Sequence, residues 1–499
     1  MNYSDGLPVT KNRCGLGINL ADMDEPNVLL VVLDSVRARN VGLYGYHRDT
    51  TPFLTEYADR ATVYRQARSP GIHSVASHAS LWTGAAVEEH RATRHEDRLR
   101  PGTTVWESLA DEGYSTALFT TNPVVAHSSN LSEPFDDEFT DDFVDNSEKL
   151  FPDAHSPADV VKHEGVSGNL KRSLRDDRPV RSLLNGAHHF AEKKRGRLSD
   201  SVTSAELVEE FLGWRGCSDG PWAACINLMD AHFPYEPAEE YDRWGGDRLA
   251  AIHADLEKPP ANEFIGGRPW WQLEAFEHLY DGAIRELDEY LERIVTGLER
   301  RGEHDDTLVV VTSDHGEGFG EVSPLTGRTR LVDHSWGIHE AVTHVPLVVK
   351  YPGQSDRSVV EDAATLTRFR DTVDAAVDGV APHDSFVPDG PVLSSTYRLR
   401  KEDALIFEGS DERATDYYGP WRAAYETADD AVYKYARRGD DSLVVRIPNA
   451  QESSSRRAEG ARKVESAFDG VDPRDLTESD ANEVSSGVED RLTELGYLR

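Results

Sequence analysis

The sequence predicts an α/β fold, with one large, mostly parallel sheet flanked by helices and a smaller C-terminal α+β domain. Three observations predict it. Apolar, β-branched runs such as Val28 to Leu33 and Leu308 to Thr312 are continuous rather than alternating, which marks strands buried on both faces. Such runs alternate with segments of helical apolar spacing, the βαβ rhythm of a parallel sheet. Past about residue 390 the pattern changes to short alternating segments, as in an antiparallel sheet with one wet face. The division that follows is an N-terminal extension over 1–26, a large domain over 27–389 with an insertion or lid at 136–200, and a smaller domain over 390–499.

After the polar leader, the first strand covers Asn27 to Leu33. Pro52 to Arg60 reads as helix, and Thr104 to Glu112 has the helical spacing that leads into a second strand, Ser115 to Thr120. Residues 136–200 are charged, rich in Ser, Asp and Arg, and poorly periodic, hence the insertion or lid. Periodicity returns at Ser204 to Leu212, followed by a strand at Trp222 to Leu228, a long helix from Trp271 to Arg300 and a strand at Thr307 to Thr312. Val345 to Lys350 is a further apolar run, closed by the turn signal Tyr351-Pro352-Gly353. Ala431 to Tyr435 and Ser442 to Arg446 alternate, and Arg491 to Arg499 reads as a terminal helix broken at Gly496.

Composition narrows the function. Lys+Arg 54 against Asp+Glu 90 gives a formal net charge of −36, the wrong sign for displacing counterions from a phosphate backbone, so no nucleic-acid partner is expected. The cations are mostly arginine, and an acid-rich, lysine-poor surface suits a high-salt cytoplasm. Cys14, Cys217 and Cys225 form neither a CxxC pair nor an even framework, which points to a reducing compartment and no structural zinc. Met1 to Glu25 lacks the charge and apolar pattern of a signal peptide, and no run is long enough to span a bilayer. A cytoplasmic protein without a membrane span is therefore expected, its oligomeric state left open. Gly316 to Gly320 is glycine-rich, but Glu321 fills the sixth position of a dinucleotide fingerprint, which excludes a nicotinamide cofactor.

Two strands end on hard ligand types: Asp34 follows Leu33, and Asp314-His315 follow Ser313. In parallel sheets ligands collect beyond the carboxyl ends of the strands. Two carboxylates and an imidazole suit a divalent cation; the oxygens favour calcium or magnesium, the nitrogen manganese or zinc, and the pattern does not choose among them. One strand-end acid alone is commonly a helix cap, so the joint placement carries the reading. Between the two points, Ala76 to Trp82 predicts a short helix with Ser74 just before its N-terminus. Free N–H groups and the helix dipole favour an anion there, and a hydroxyl is a candidate metal-activated nucleophile; the plainer alternative is an N-cap.

Four blocks together resemble the sulfatase family of the alkaline phosphatase superfamily: Pro26 to Arg37 with Gly42 to Gly45, Ser74 to Gly84, Asp230 to Tyr235, and Ser313 to Glu317. Tyr280-Asp281 through Leu287-Asp288, His344 to Leu347 and Leu495 to Leu498 add weaker matches. The resemblance implies an alkaline phosphatase-like fold and a metal-dependent hydrolase of small-molecule or glycan sulfate esters. It implies metal ligands at Asp34, Asp314 and His315, and a nucleophile at Ser74 of the kind many sulfatases oxidise to formylglycine. It places His232 near the transferring group as general acid or anion donor, and His334 near the residue that closes the site. A histidine in a loop is otherwise a turn or surface residue, and His339 and His344 are assigned to packing or capping.

Departures matter as much. The maturation signal of the family runs Cys or Ser, any residue, Pro, Ser, Arg; here Ala76 replaces the Pro and His78 the Arg, which weighs against conversion of Ser74. Ser35 stands where many arylsulfatases carry a second aspartate ligand, and Arg39 where an aspartate is common. Arg37, Arg39 and His78 are then the candidate local cations. The set also resembles single-metal phosphotransferases of the superfamily, in which an unmodified hydroxyl attacks phosphorus. A phosphoryl-type hydrolase or transferase using Ser74 directly is one alternative, and a catalytically silent glycan- or partner-binding member is another.

Overall fold

Among the described residues ten strands build the main body: β1 (Asn27–Leu33), β2 (Thr62–Arg68), β3 (Ser115–Thr120), β4 (Asp137–Thr140), β5 (Trp222–Leu228), β6 (Thr307–Thr312), the pair β7 (Phe319–Val322) and β8 (Arg330–Val332), then β9 (Leu347–Lys350) and β10 (Ser358–Thr365). All but β7 and β8 join one sheet in the order β10-β2-β9-β6-β1-β5-β3-β4. Every strand of it runs the same way except β9, which is antiparallel to both β2 and β6. The computed structural model describes residues 25–140, 151, 154, 178–194, 202–215, 220–256, 260–396, 417–456 and 460–478. Cys14, Cys217, most of the 136–200 segment and the terminal helix expected at 491–499 lie outside the described residues.

The apolar runs behave as strands buried on both faces. Leu29, Val31 and Leu33 of β1 enter one core cluster, while Val28, Leu30 and Val32 enter the other on the opposite face. The long helix Trp270–Arg301 packs on the first face through Leu273, Phe276, Leu287 and Leu291. The helix Ser74–Thr83 packs on the second through Val75, Ala79, Leu81 and Trp82. Helices on both sides of a parallel sheet leave its strand ends as the open place for chemistry.

Two of the strands that the sequence pattern does not reveal lie side by side in the main sheet. β2 carries Arg65, Gln66 and Arg68, so its period is masked, and β10 carries Glu361 and Asp362 on the outermost edge. The 136–200 segment begins with β4, which pairs in parallel with β3 and forms the opposite edge of the sheet.

Beyond the main body, β11 (Val392–Thr396), β12 (Trp421–Ala428), β13 (Ala431–Arg438), β14 (Asp441–Ile447) and β15 (Ser454–Arg456) form a consecutive antiparallel sheet. Its inner face, with Trp421, Ala423, Tyr425 and Val432, shares a core with Ala363 of β10. A buried ionic knot ties the two sheets together: Glu340 meets Arg68 of β2 and Lys434 of β13, each at 2.9 Å. Among the described residues no helix is long and apolar enough to cross a membrane.

Burial works to raise the Glu340 carboxyl, but Arg68, Lys434 and His344 override it and hold it at about 2. A carboxyl depressed below its ordinary value of about 4.3 gives stability that is complete above that value and is lost as pH falls toward the folded pKa. Glu340→Gln should therefore cost about 3 kcal/mol at pH 7, because it strands two buried cations. Urea unfolding at pH 7 and pH 3 checks this; the gap from wild type narrows at the lower pH, and an equal gap at both would contradict it.

Candidate active site

The site begins where β1 stops. Asp34 N still donates to Leu228 O at 3.0 Å, and then Ser35 turns the chain at φ 63°, a left-handed conformation that a side chain seldom adopts. Three contacts hold that turn. The Ser35 carbonyl accepts from Tyr280 Oη at 2.7 Å, its N–H donates to Asp314 Oδ1 at 3.4 Å, and its Oγ donates to Asp34 Oδ1 at 3.0 Å. The residue standing in place of a second aspartate thus donates to the first. From β6, the chain passes the Ala341 carbonyl so closely that a Cβ on Gly316 would lie 2.1 Å from that oxygen.

These turns bring Asp34, Asp314 and His315 together, each fully buried. One ligand atom from each lies within 4.8 Å of the others. His315 Nδ1–H donates to Gly316 O at 3.0 Å, which fixes the tautomer and aims Nε2 at the acids, 3.3 Å from Asp314 Oδ2 and 3.9 Å from Asp34 Oδ1. Asp314 Oδ2 is buried without a hydrogen-bond partner. Burial pushes the Asp314 carboxyl up, against the lowering pull of His78 and Ser74. Two buried carboxylates, one with an unsatisfied oxygen, beside an imidazole lone pair make a donor set that fits a divalent cation.

Ser74 sits beside this set, one residue deeper in its helix than the sequence suggests. His73 takes the extended N-cap conformation, so the helix begins at Ser74 itself. Its Oγ accepts from Asn122 Nδ2 at 3.1 Å, and the same nitrogen donates to Asp34 Oδ2 at 2.9 Å. Asn227 Nδ2 adds a donor to Asp34 Oδ2 at 3.3 Å. Sequence reasoning missed both asparagines. Asn227 is the polar residue in the otherwise apolar run of β5, and Asn122 lies just past the end of β3, so strand-end placement was the available signal for each.

The histidines converge as well. His78, one helical turn on, donates from Nδ1 to the Ser74 carbonyl at 2.9 Å and lies 3.7 Å from Asp314 Oδ2. The His334 ring is 4.2 Å from that of His315 and 5.1 Å from that of His232, centroid to centroid. His232 Nδ1–H donates to Phe233 O at 2.7 Å. Glu317, fully buried, reaches His334 Nδ1 at 3.6 Å; burial and then Asp333 push its carboxyl well above the ordinary range.

Arg37 does not join them. Its guanidinium is buried against Glu277, Glu321 and Asn40, so it serves that knot and not the charge at Ser74. Burial works to raise Glu277 and Glu321, and Arg37 overrides it and holds both carboxyls low. The charge of Arg39 falls on Glu277 and His339. His339 caps the Ala341 N–H, and His344 Nε2 donates to Arg65 O.

The sequence and the fold match known proteins. A sulfatase family profile covers residues 26–387, and the chain belongs to that family. It is 20% identical to iduronate 2-sulfatase of Homo sapiens over 388 residues, 72% of this chain and 65% of that protein. It is 29% identical to N-acetylglucosamine-6-O-sulfatase of Bacteroides thetaiotaomicron over 375 residues, 66% of this chain and 63% of that protein. The chain thus spans slightly less than two thirds of the length of these curated relatives. In fold it is similar to the phosphonate monoester hydrolase of Agrobacterium radiobacter, with a TM-score of 0.55 at 18% identity, covering 85% of this chain and 89% of that one.

A cation binding only the folded state should raise the melting temperature, by the equivalent of about 2.7 kcal/mol at 100 times Kd. Thermal scans of chelator-treated protein with added Mn2+, Ca2+ or Zn2+ test this. Wild type shifts upward with at least one ion, and Asp314→Asn loses the shift; a shift retained in the variant would contradict the assignment.

Proposed function

We propose that this protein is a metal-dependent hydrolase of sulfate esters, with Asp34, Asp314 and His315 as cation ligands and Ser74 as the nucleophilic position. The observation that carries the reading is the meeting of a buried Asp-Asp-His donor set with a serine hydroxyl at the start of a helix. A divalent cation held there supplies positive charge for the oxygens of the transferring group. The chain supplies the rest. The first-turn N–H groups of the Ser74–Thr83 helix face incoming negative charge. Asn122 fixes the Ser74 hydroxyl, and His78 holds the backbone carbonyl of the same residue. His232 and His334, whose rings lie 5.1 Å apart, are the proposed groups that give a proton to the leaving oxygen. The two sulfatases compared above are named for a sugar, which supports a glycan or other sugar sulfate as substrate class. The acid-rich composition supports a high-salt cytoplasm as the working environment.

A second reading has its own support: phosphoryl transfer by unmodified Ser74. Ala76 and His78 break the maturation signal, and the Ser74 hydroxyl as it stands is already held by an amide donor.

Peptide mass spectrometry across Ser74 and paired assays with aryl sulfate and aryl phosphate, each with added metal, separate the two. An aldehyde, lighter by one hydrogen pair, with sulfate turnover supports the first reading; intact serine with phosphate turnover supports the second. Ser74→Ala should lower either rate by about 10³-fold or more. Metal-loaded protein that turns over neither ester, on aryl or sugar leaving groups, sinks both.

A further inference from the structure

We propose that Asn122 is the positioning residue that couples nucleophile to metal cradle, through one amide nitrogen shared by the Ser74 hydroxyl and the Asp34 carboxylate. The inference rests on the functional reading above. Asn122 is fully buried two residues past the end of β3. Its Nδ2 donates to Asp34 Oδ2 at 2.9 Å and to Ser74 Oγ at 3.1 Å.

The opposite end of the side chain is equally committed. Oδ1 accepts from the N–H groups of Val124 at 2.9 Å and Val125 at 3.4 Å, while the Asn122 backbone N–H donates to Thr120 Oγ1 at 2.9 Å. This network decides the amide orientation: a flip would set an oxygen against the Asp34 carboxylate and an NH2 against two backbone N–H groups. The turn after β3 therefore acts as a rigid mount for one donor.

That donor does two jobs at once. At Ser74 Oγ it is a preorganised donor to any negative charge on that oxygen, and it needs no rearrangement to act as one. At Asp34 it pins Oδ2, which leaves Oδ1 as the oxygen nearer His315. The spacing between attacking oxygen and metal ligand is then set by a single nitrogen. An aspartate or leucine could cap or fill the same space, but neither would bridge two oxygens as a neutral amide does.

The test uses full-length Asn122→Ala and Asn122→Ser. Serine at 122 keeps a short acceptor for the turn N–H groups yet is too short to span Ser74 and Asp34, so it separates capping from bridging. For both Asn122 variants the expected result is kcat lower by about 10²-fold with KM within about threefold of wild type. In calorimetry with Mn2+ alone on chelator-treated protein, affinity falls about 10-fold. Asn122→Ser melts near wild type. Asn122→Ser with kcat and Mn2+ affinity inside twofold of an active wild type overturns the bridge alone. Wild type that neither binds Mn2+ nor turns over either ester overturns the functional reading and the bridge with it.

Discussion

Two carboxylates of like charge, Asp34 and Asp314, lie fully buried at the ends of neighbouring parallel strands, and the surrounding structure exists to hold them there. Taking an ion out of water costs several kcal/mol even after relaxation, and placing a second one beside it costs more. The chain offsets part of this with neutral donors from Ser35, Asn122 and Asn227 around the acids. It stops short of closing the account, because Asp314 Oδ2 stays without a hydrogen-bond partner. Such a donor set fits a divalent cation.

The sheet makes that concentration of charge reachable. β1 pairs with β6 so that Val32 faces Thr312, and with β5 so that Leu33 faces Leu228, which brings the three strand ends level. Residues just beyond them, Asp34, Asp314 and the loop that carries His232, then share one rim. The long helix Trp270–Arg301 braces the rim from one face: Tyr280 bonds the Ser35 carbonyl, and Glu277 draws the Arg37 guanidinium away from the acids. On the other face the Ser74–Thr83 helix is anchored by Trp82 against Trp106 and Phe135, and this packing sets where its first turn points.

Much of this was legible in the chain. Val28 to Leu33 and Leu308 to Thr312 announced central strands, and the acids and imidazole at their ends announced donor groups that the fold brings together, because strand burial and donor chemistry are both local properties of residue type. Where the local signal was mixed, the reading faltered. β2 hides Arg68 in the core because Glu340 neutralises it from a distant segment, and no window of sequence contains that partner. Arg37 looked like a site cation by position, yet two carboxylates from the long helix and from β7 claim it. Ser74 entered the helix because His73, not Ser74, took the extended cap conformation.

By itself, then, the sequence determined the central apolar strands, the class of fold and the kinds of donor group that gather near Ser74. Tertiary structure decided which atoms face one another. Asn122 shows the difference: it follows its strand as an ordinary loop asparagine, and becomes a bridge only when β3 and β1 take their places on either side of β5, bringing it to Asp34 and to a hydroxyl 48 residues away. Hydrogen bonds need heavy atoms within about 3 Å, and only sheet register and helix packing position chain segments that finely.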